Sequence, residues 1–127
     1  MITKDQIKRL LKRQNNLYEF LDIGYKQKQY ISLEETTQST DFWSNPKEAQ
    51  VILKKLSSIK TWIRHYEIIT NHIDELQVLI ELNAEDKELN SKLETTISSI
   101  EDLEFKNMLS SEEDSLSAIM VINPGAG

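Results

Sequence analysis

Two histidines are the side chains in this sequence best suited to bind a metal ion or to transfer a proton. His65 and His72 are seven residues apart, so on a helix they share one face but lie two turns, or roughly 10 Å, apart. One metal ion cannot reach both rings across that distance, and no His-Glu-x-x-His pattern is present. We therefore predict two surface histidines and no metal site.

Carboxylates are the next candidates for chemistry, because the chain has 21 Asp and Glu residues. Many of them stand in short polar runs, such as Glu101-Asp102 and Glu112-Glu113-Asp114. A catalytic carboxylate pair needs burial or crowding that separates its two pKa values, and a calcium loop needs ligands at alternate positions. Neither pattern is present, so we interpret these runs as solvated helix faces.

Nucleophiles and phosphate-binding loops are also missing. There is no cysteine, which removes thiolate nucleophiles, disulfides and cysteine zinc sites, and no serine stands in a nucleophile-elbow context. The glycine-rich segment 124–127 contains no Lys-Ser or Lys-Thr pair, which a phosphate loop requires. We therefore predict a chain with no catalytic, metal-binding or cofactor-binding residue, which is not an enzyme by itself.

Positive charge is concentrated near the start of the chain. Residues 1–30 hold seven Lys and Arg against three acidic residues, whereas the rest holds eight against 18. The cations most able to contact phosphate share the first predicted helix: Lys8, Arg9, Lys12 and Arg13. Two interpretations stay open. The helix face binds nucleic acid, or its cations pair with acidic neighbours while their stems cover the apolar stripe.

The spacing of apolar residues predicts the helices that carry these side chains. A first helix begins with a capping box at Thr3 and Gln6, and its apolar residues recur at steps of three, four and seven as far as Leu21. Gly24 weakens this pattern, and residues 25–33 continue the helix after a bend.

A polar loop at 34–41 leads into the sharpest local signal, the run Phe42-Trp43-Ser44-Asn45-Pro46. Asn45 suits a helix N-cap and Pro46 the first helical position. The aromatic pair before them, Phe42 and Trp43, suits an anchor against the core. The helix that follows, at about 47–82, has apolar residues in near-heptad spacing and a length of roughly 54 Å. A stripe that long needs partner helices to cover it.

A second break, at 83–86, separates this helix from a third one, whose apolar residues extend from Leu89 to Leu103. The short connection makes the two helices antiparallel neighbours. We therefore predict a mainly α protein, built as an elongated antiparallel three-helix bundle or coiled coil.

The last part of the sequence changes in character. Residues 110–114 predict a polar turn, the β-branched run at 118–122 predicts a short strand, and 123–127 predict a tight turn. A single strand is marginal in water without a sheet to join. We therefore expect two domains: a helical domain at 1–104 and, at 105–127, the truncated start of a central α/β domain.

The N-terminus has no apolar signal core, and no run approaches the ~18 apolar residues of a membrane span. We expect a cytoplasmic protein.

Three segments resemble the bacterial class I peptide chain release factors, in the same order and spacing. They are residues 18–22 (Tyr-Glu-Phe-Leu-Asp), 41–50 (Asp-Phe-Trp-Ser-Asn-Pro-Lys-Glu-Ala-Gln) and 103–110 (Leu-Glu-Phe-Lys-Asn-Met-Leu-Ser), the last followed by the acidic run 112–114 and by 122–127. The Asp-Phe-Trp and Leu-Glu-Phe segments resemble the type 2 factors more than the type 1 factors.

The resemblance implies an N-terminal helical domain that leads into a central, codon-recognising domain. Members of the family read UGA and UAA with a Ser-Pro-Phe tripeptide and promote peptidyl-tRNA hydrolysis with a Gly-Gly-Gln loop. Neither tripeptide occurs in these 127 residues, so neither role can be assigned to a residue here. The role that remains is that of the helical domain, which lies near the stalk base of the large ribosomal subunit, beside rRNA and close to a GTPase release factor.

On this resemblance, Lys8, Arg9, Lys12 and Arg13 become the candidate ribosome contacts, by charge complementarity to RNA. A free-standing helical coiled-coil module for protein–protein interaction fits the periodicity equally well. Apolar surface left uncovered by truncation can also pair two copies as a homodimer.

Overall fold

The computed structural model describes the backbone of residue 2 and residues 4–122, and the side chains of residue 2 and residues 4–113. Within this part the chain is mainly helical and has no strand, which confirms the predicted mainly α class. The elements are α1 (Lys4–Phe20), α2 (Ile23–Thr37), a 3-10 helix (Phe42–Ser44), α3 (Pro46–Glu81) and α4 (Asp86–Ile122). Thr3, the first residue of the predicted capping box, lies outside the described residues.

The long helix α3 begins where the sequence predicts. The Asn45 side chain accepts a hydrogen bond from the Glu48 backbone N–H at 3.4 Å, and Pro46 occupies the first helical position, where its missing N–H costs nothing. No glycine or further proline interrupts the 36 residues of α3, which span roughly 54 Å. The predicted N-cap is therefore present, and the helix is long enough to serve as the spine of the fold.

The end of α3 is closed by a Schellman motif. Asn83 adopts a left-handed conformation with φ of 56°. Its N–H donates to the Ile80 carbonyl at 3.1 Å, and the Ala84 N–H donates to the Leu79 carbonyl at 3.0 Å. These bonds satisfy the last carbonyls of α3 and reverse the chain into α4. The break predicted at 83–86 is confirmed.

The break between α1 and α2 lies at Asp22, two residues before the glycine that the sequence favours. Asp22 has φ of 54°, its N–H donates to the Glu19 carbonyl at 3.1 Å, and its own carbonyl accepts from the Lys26 N–H at 2.9 Å. The Lys26 ammonium group also bonds the Leu21 carbonyl. Because this junction closes one helix and starts another, the described part of the chain has four α-helices, and the predicted count of three is wrong.

Gly24 lies inside α2 and has a packing role. A Cβ atom at this position would come within 2.8 Å of the Tyr18 hydroxyl oxygen. The Tyr18 ring in turn lies 5.7 Å from the Tyr66 ring, at a tilt of 59°. Glycine therefore permits this close approach of the Tyr18 hydroxyl to the backbone of α2, and a larger residue would require the Tyr18 ring to shift.

Substitution of Asp22 tests the left-handed junction. We expect Asp22→Val to lower the free energy of unfolding by about 1–2 kcal/mol, because a β-branched residue is strained at positive φ. Asp22→Gly should keep or raise the stability, since glycine adopts this conformation without strain. Urea unfolding of both variants checks this. Equal losses of stability in the two variants would contradict this role of the backbone. They would show that removal of the exposed Asp22 carboxylate, and not strain at positive φ, lowers the stability.

Cross-helix contacts establish the directions of packing. Gln14 donates to the Thr70 hydroxyl at 2.9 Å and the Tyr18 ring lies beside the Tyr66 ring, so residue numbers rise along α1 as they fall along α3. On the other side of the turn, Lys92 of α4 contacts Glu75 of α3. Both α1 and α4 are therefore antiparallel to α3, as an antiparallel bundle requires. α2 also packs against α3 and lies beside residues 60–67.

The hydrophobic core lies where α1, α3 and α4 meet. Leucine and isoleucine side chains fill it, and each of the largest is no more than 2% exposed: Leu17, Ile23, Ile69, Ile73, Leu76 and Ile100. The half of the molecule built by α2, the 3-10 helix and the start of α3 buries far less, mainly Phe42, Ala49 and Ile59. The three-helix end therefore supplies most of the hydrophobic stabilisation.

Two connecting segments differ from the sequence predictions. α2 continues through Thr37 into the predicted loop at 34–41, and α4 passes through the predicted turn at 110–114. Neither segment contains glycine or proline, so nothing in the backbone stops the helix. The predicted C-terminal β segment at 118–122 falls where side chains are not described. The backbone of α4 extends to Ile122, and the β segment stays a prediction. None of the described helices is long and apolar enough to cross a bilayer.

Candidate functional site

The basic face predicted on α1 is only partly free. Lys8, Arg9 and Lys12 are exposed, and none of the three has an ion-pair partner within residues 4–113. Arg13 is half-buried and faces α4 instead of solvent. We call the three exposed cations among the four predicted contacts the α1 basic face (Lys8, Arg9 and Lys12).

Arg13 forms a bidentate ion pair with Glu104. Its Nη2 lies 2.5 Å from Oε1 and its Nε lies 3.2 Å from Oε2, a fork geometry that fixes both side chains. The hydrogen bond to Glu104 raises the pKa of Arg13, partial burial opposes this effect, and the nearby charges of Glu104 and Glu101 add to it. Arg13 therefore joins α1 to α4 in this structure, and its role as a ribosome contact stays a prediction.

A double-mutant cycle measures this pair. We expect Arg13→Gln and Glu104→Gln each to lower the free energy of unfolding, with a coupling energy of about 0.5–1 kcal/mol, because both side chains are about one-third exposed and solvent screens their attraction. Urea unfolding of the two single variants and the double variant checks this. A coupling energy indistinguishable from zero would show that the fork contributes nothing to holding α4 against α1.

Free positive charge lies on a second surface that the sequence reasoning missed. Up to residue 65 the chain has 12 Lys and Arg against seven acids, and beyond it three against 14. The charge boundary therefore falls within α3 and not at residue 30. The exposed cations on the N-terminal half of α3 are Lys47, Lys54, Lys55, Lys60 and Arg64. The four-residue spacing of Lys60 and Arg64 was the available signal, since it places both on one helix face.

A groove between α2 and α3 contains two of these cations. Its α3 wall is formed by Lys60, Ile63, Arg64 and Glu67, and its α2 wall by Gln27, Tyr30 and Ile31. We call this the α2–α3 groove. Exposed cations and the exposed apolar side chain of Ile31 meet there.

The predicted aromatic anchor divides into one buried and one exposed ring. Phe42 is 8% exposed, whereas Trp43 is 64% exposed. The two rings contact each other edge to face, with centroids 4.9 Å apart. Phe42 is therefore the buried ring of the pair, and Trp43 lies mostly in solvent. The anchor role predicted for the two rings stays a prediction.

The two histidines take different environments on α3. His72 Nδ1 lies 2.9 Å from Lys92 Nζ, and Lys92 also bonds Glu75. Partial burial, and then the Lys106 ammonium group, hold the pKa of His65 below its ordinary value. In the described part of the chain, no three His, Cys, Asp or Glu side chains are grouped so that they could hold a metal ion.

Comparison with known proteins assigns this helical chain to a family. The model of the PCRF domain matches residues 26–127, which include most of α2 and all of α3 and α4. The chain belongs to the PCRF domain family. The α1 basic face lies outside the segment that the PCRF model matches, whereas the α2–α3 groove lies inside it.

Relatives of this PCRF-domain chain match it along nearly its whole length. Peptide chain release factor 2 of Clostridium perfringens is 29% identical over 100% of the chain, and that of Staphylococcus epidermidis is 30% identical over 96%. The Streptomyces avermitilis factor is 29% identical over 97%. The chain spans only 35–37% of the length of these relatives. No solved structure matches it significantly.

Proposed function

We propose that this PCRF-domain chain is the N-terminal helical domain of a peptide chain release factor that acts in translation termination. The observation that carries the proposal is its similarity to release factors 2 over 96–100% of its residues, together with the PCRF match. In this proposal residues 1–104 form the helical domain and residues 105–127 lead into the central, codon-recognising domain. The longer protein directs termination at UGA and UAA in the cytoplasm.

The helical domain binds the ribosome and positions the factor on it. Peptidyl-tRNA hydrolysis is performed by another part of the longer protein. The support for this division is that the 127 residues contain no Gly-Gly-Gln sequence. The partners are the ribosome, at the stalk base of the large subunit and its rRNA, and the GTPase release factor that acts close to it. The α1 basic face is the proposed contact with RNA phosphates, because its three cations are exposed and have no carboxylate partner among the side chains that the structure describes.

A termination assay tests the proposal. The isolated chain is added to ribosomes with peptidyl-tRNA in the P site and UGA in the A site, and both peptide release and co-sedimentation with 50S subunits are measured. We expect binding that weakens with salt and no release above the buffer rate. Measurable release would contradict the non-catalytic role, and absence of binding at low salt would contradict the ribosome contact.

The alternative is a free-standing helical module for protein–protein interaction. The near-heptad apolar spacing of α3 and the exposed apolar side chains on α2 and α3, such as Ile31 and Val51, favour it. The same assay separates the two functions, because an unrelated module has no reason to bind the large subunit better than it binds other RNA-containing particles.

A further inference from the structure

Arg13 lies where the α1 basic face meets α4. Arg9 of the basic face stands four residues before it, so the two guanidinium groups lie one turn apart on the same side of α1. Lys12, the neighbour of Arg13 in sequence, is exposed. Arg13 differs from both cations because its side chain reaches α4 and bonds Glu104. The positive charge of α1 therefore extends beyond its three exposed cations to a fourth one, which a carboxylate of α4 holds.

The ion pair of Arg13 with Glu104 is open to exchange. The Arg13 side chain is 34% exposed and that of Glu104 is 39% exposed, so an anion in solution can reach both. A phosphate group accepts two hydrogen bonds from a guanidinium in the same fork geometry as a carboxylate. Ion pairs this exposed contribute little net free energy. A phosphate can therefore take the place of Glu104 without opening the hydrophobic core.

A second carboxylate of α4 lies near Arg13 without bonding it. The hydrogen bond to Glu104 raises the pKa of Arg13, and the more distant charge of Glu101 acts in the same direction. Among the described side chains, however, the ion pair of Arg13 is with Glu104 and not with Glu101. Glu101 therefore carries the same charge in nearly the same place but does not occupy the guanidinium.

The position of Glu104 links this exchange to the rest of the chain. Glu104 is the last residue of the proposed helical domain, and α4 continues past it as one helix to Ile122. Ile100 and Leu103, just before it, are buried in the core. The fork with Arg13 therefore holds α4 to α1 at the point where α4 leaves the core.

We propose that Glu104 competes with RNA phosphate for Arg13: it holds this side chain in the free chain and yields it to a phosphate when RNA binds the α1 basic face. The inference rests on the RNA contact of the proposed function, to which it adds a fourth cation and the residue that controls it. Because coupling between two sites is reciprocal, RNA that takes Arg13 from Glu104 also loosens α4 from α1. RNA binding on α1 is thereby communicated to the helix that leads into the next domain.

Neutral variants of the two α4 carboxylates test the competition. Glu104→Gln and Glu101→Gln each remove one negative charge from α4, and only the first removes the fork. Binding of the full 127-residue chain to 50S subunits is measured by sedimentation at about 100 mM salt. We expect Glu104→Gln to bind about two- to fivefold more tightly than Glu101→Gln, which is the factor that corresponds to an ion pair of this exposure.

The same two substitutions are then compared in chains that also carry Arg13→Gln. Without the guanidinium there is nothing to compete for, so the two double variants should bind alike. The double variant with Glu104→Gln should also depend on salt less steeply than Glu104→Gln alone, by up to about one unit of slope, because one phosphate contact is lost. Circular dichroism of every variant checks that it is folded.

The outcomes separate this inference from the function on which it rests. Suppose that binding requires the α1 basic face, as shown by reversal of its three charges, but that folded Glu104→Gln and Glu101→Gln bind equally. The competition would then be overturned, and the RNA contact of α1 would stand. A gain from Glu104→Gln that persists in the Arg13→Gln chains would also overturn it, since charge alone would explain the gain. Absence of binding at low salt by the wild type and all variants would contradict both the competition and the α1 contact.

Discussion

Replacing Leu76 by alanine is expected to lower the free energy of unfolding by about 3 kcal/mol. Leu76 is fully buried, in the cluster where α1, α3 and α4 meet. Truncation there removes the transfer free energy of three carbon atoms and leaves a cavity between helices that cannot fully close. Urea unfolding followed by circular dichroism measures the change, and the slope against urea should stay that of the wild type.

Leu82→Ala is the matched control for this substitution. It deletes the same atoms six residues further on, but Leu82 is 72% exposed, so the loss should stay below about 0.5 kcal/mol. Similar losses in the two variants would mean that the burial of Leu76 does not explain the effect. The core described here would then be misplaced.

Reversing the α1 basic face is expected to weaken binding of the chain to 50S subunits at least tenfold at about 100 mM salt. The variant carries Lys8→Glu, Arg9→Glu and Lys12→Glu. Each cation that contacts a phosphate releases counterions on binding, so its loss lowers the affinity and also flattens the dependence on salt, by up to about one unit of slope for each contact. Sedimentation at several salt concentrations gives both quantities.

The matched control reverses three exposed cations on α3, with Lys47→Glu, Lys54→Glu and Lys55→Glu. Both variants change the net charge by the same amount, and only one of them changes α1. Equal losses of affinity would show that total charge governs binding, which would contradict a defined contact on α1. A loss confined to the control would move the contact to α3.

Features determined by local chemistry could be predicted from the sequence. Asn45 and Pro46 suit the first turn of a helix in any context, because the cap needs only a side-chain oxygen and a residue without an N–H. The break at 83–86 could also be predicted, because it depends on the residues of the break itself and not on distant contacts. The apolar spacing of α3 is long enough to define a helix without knowledge of its partners.

The break between α1 and α2 could not be located in the same way. Glycine is the residue expected in a left-handed conformation, and Asp22 adopts it instead, helped by the Lys26 side chain on the Leu21 carbonyl. Gly24 is explained by a contact with Tyr18 across the junction. A sequence gives no sign of such a contact before the two helices are placed.

The partners of charged side chains were equally hidden. Arg13 and Glu104 are 91 residues apart in sequence. The exposure of Arg13 therefore depends on where α4 packs against α1, which the sequence does not show. The same limit applies to Trp43, because residue type does not reveal which of two adjacent aromatic rings faces the core. The α2–α3 groove was missed because it needs two helices, and the charge pattern of either one alone does not show it.

A chimeric release factor tests the central claim most directly. In it, this chain replaces the matching segment of Staphylococcus epidermidis peptide chain release factor 2, which is 30% identical to it. The controls are the parent factor and the parent with that segment deleted. Peptide release on UGA-programmed ribosomes is measured for all three. We expect the chimera to release peptide at a rate within about tenfold of the parent. A folded chimera that releases no faster than the deletion would contradict the claim that this chain is a release-factor domain.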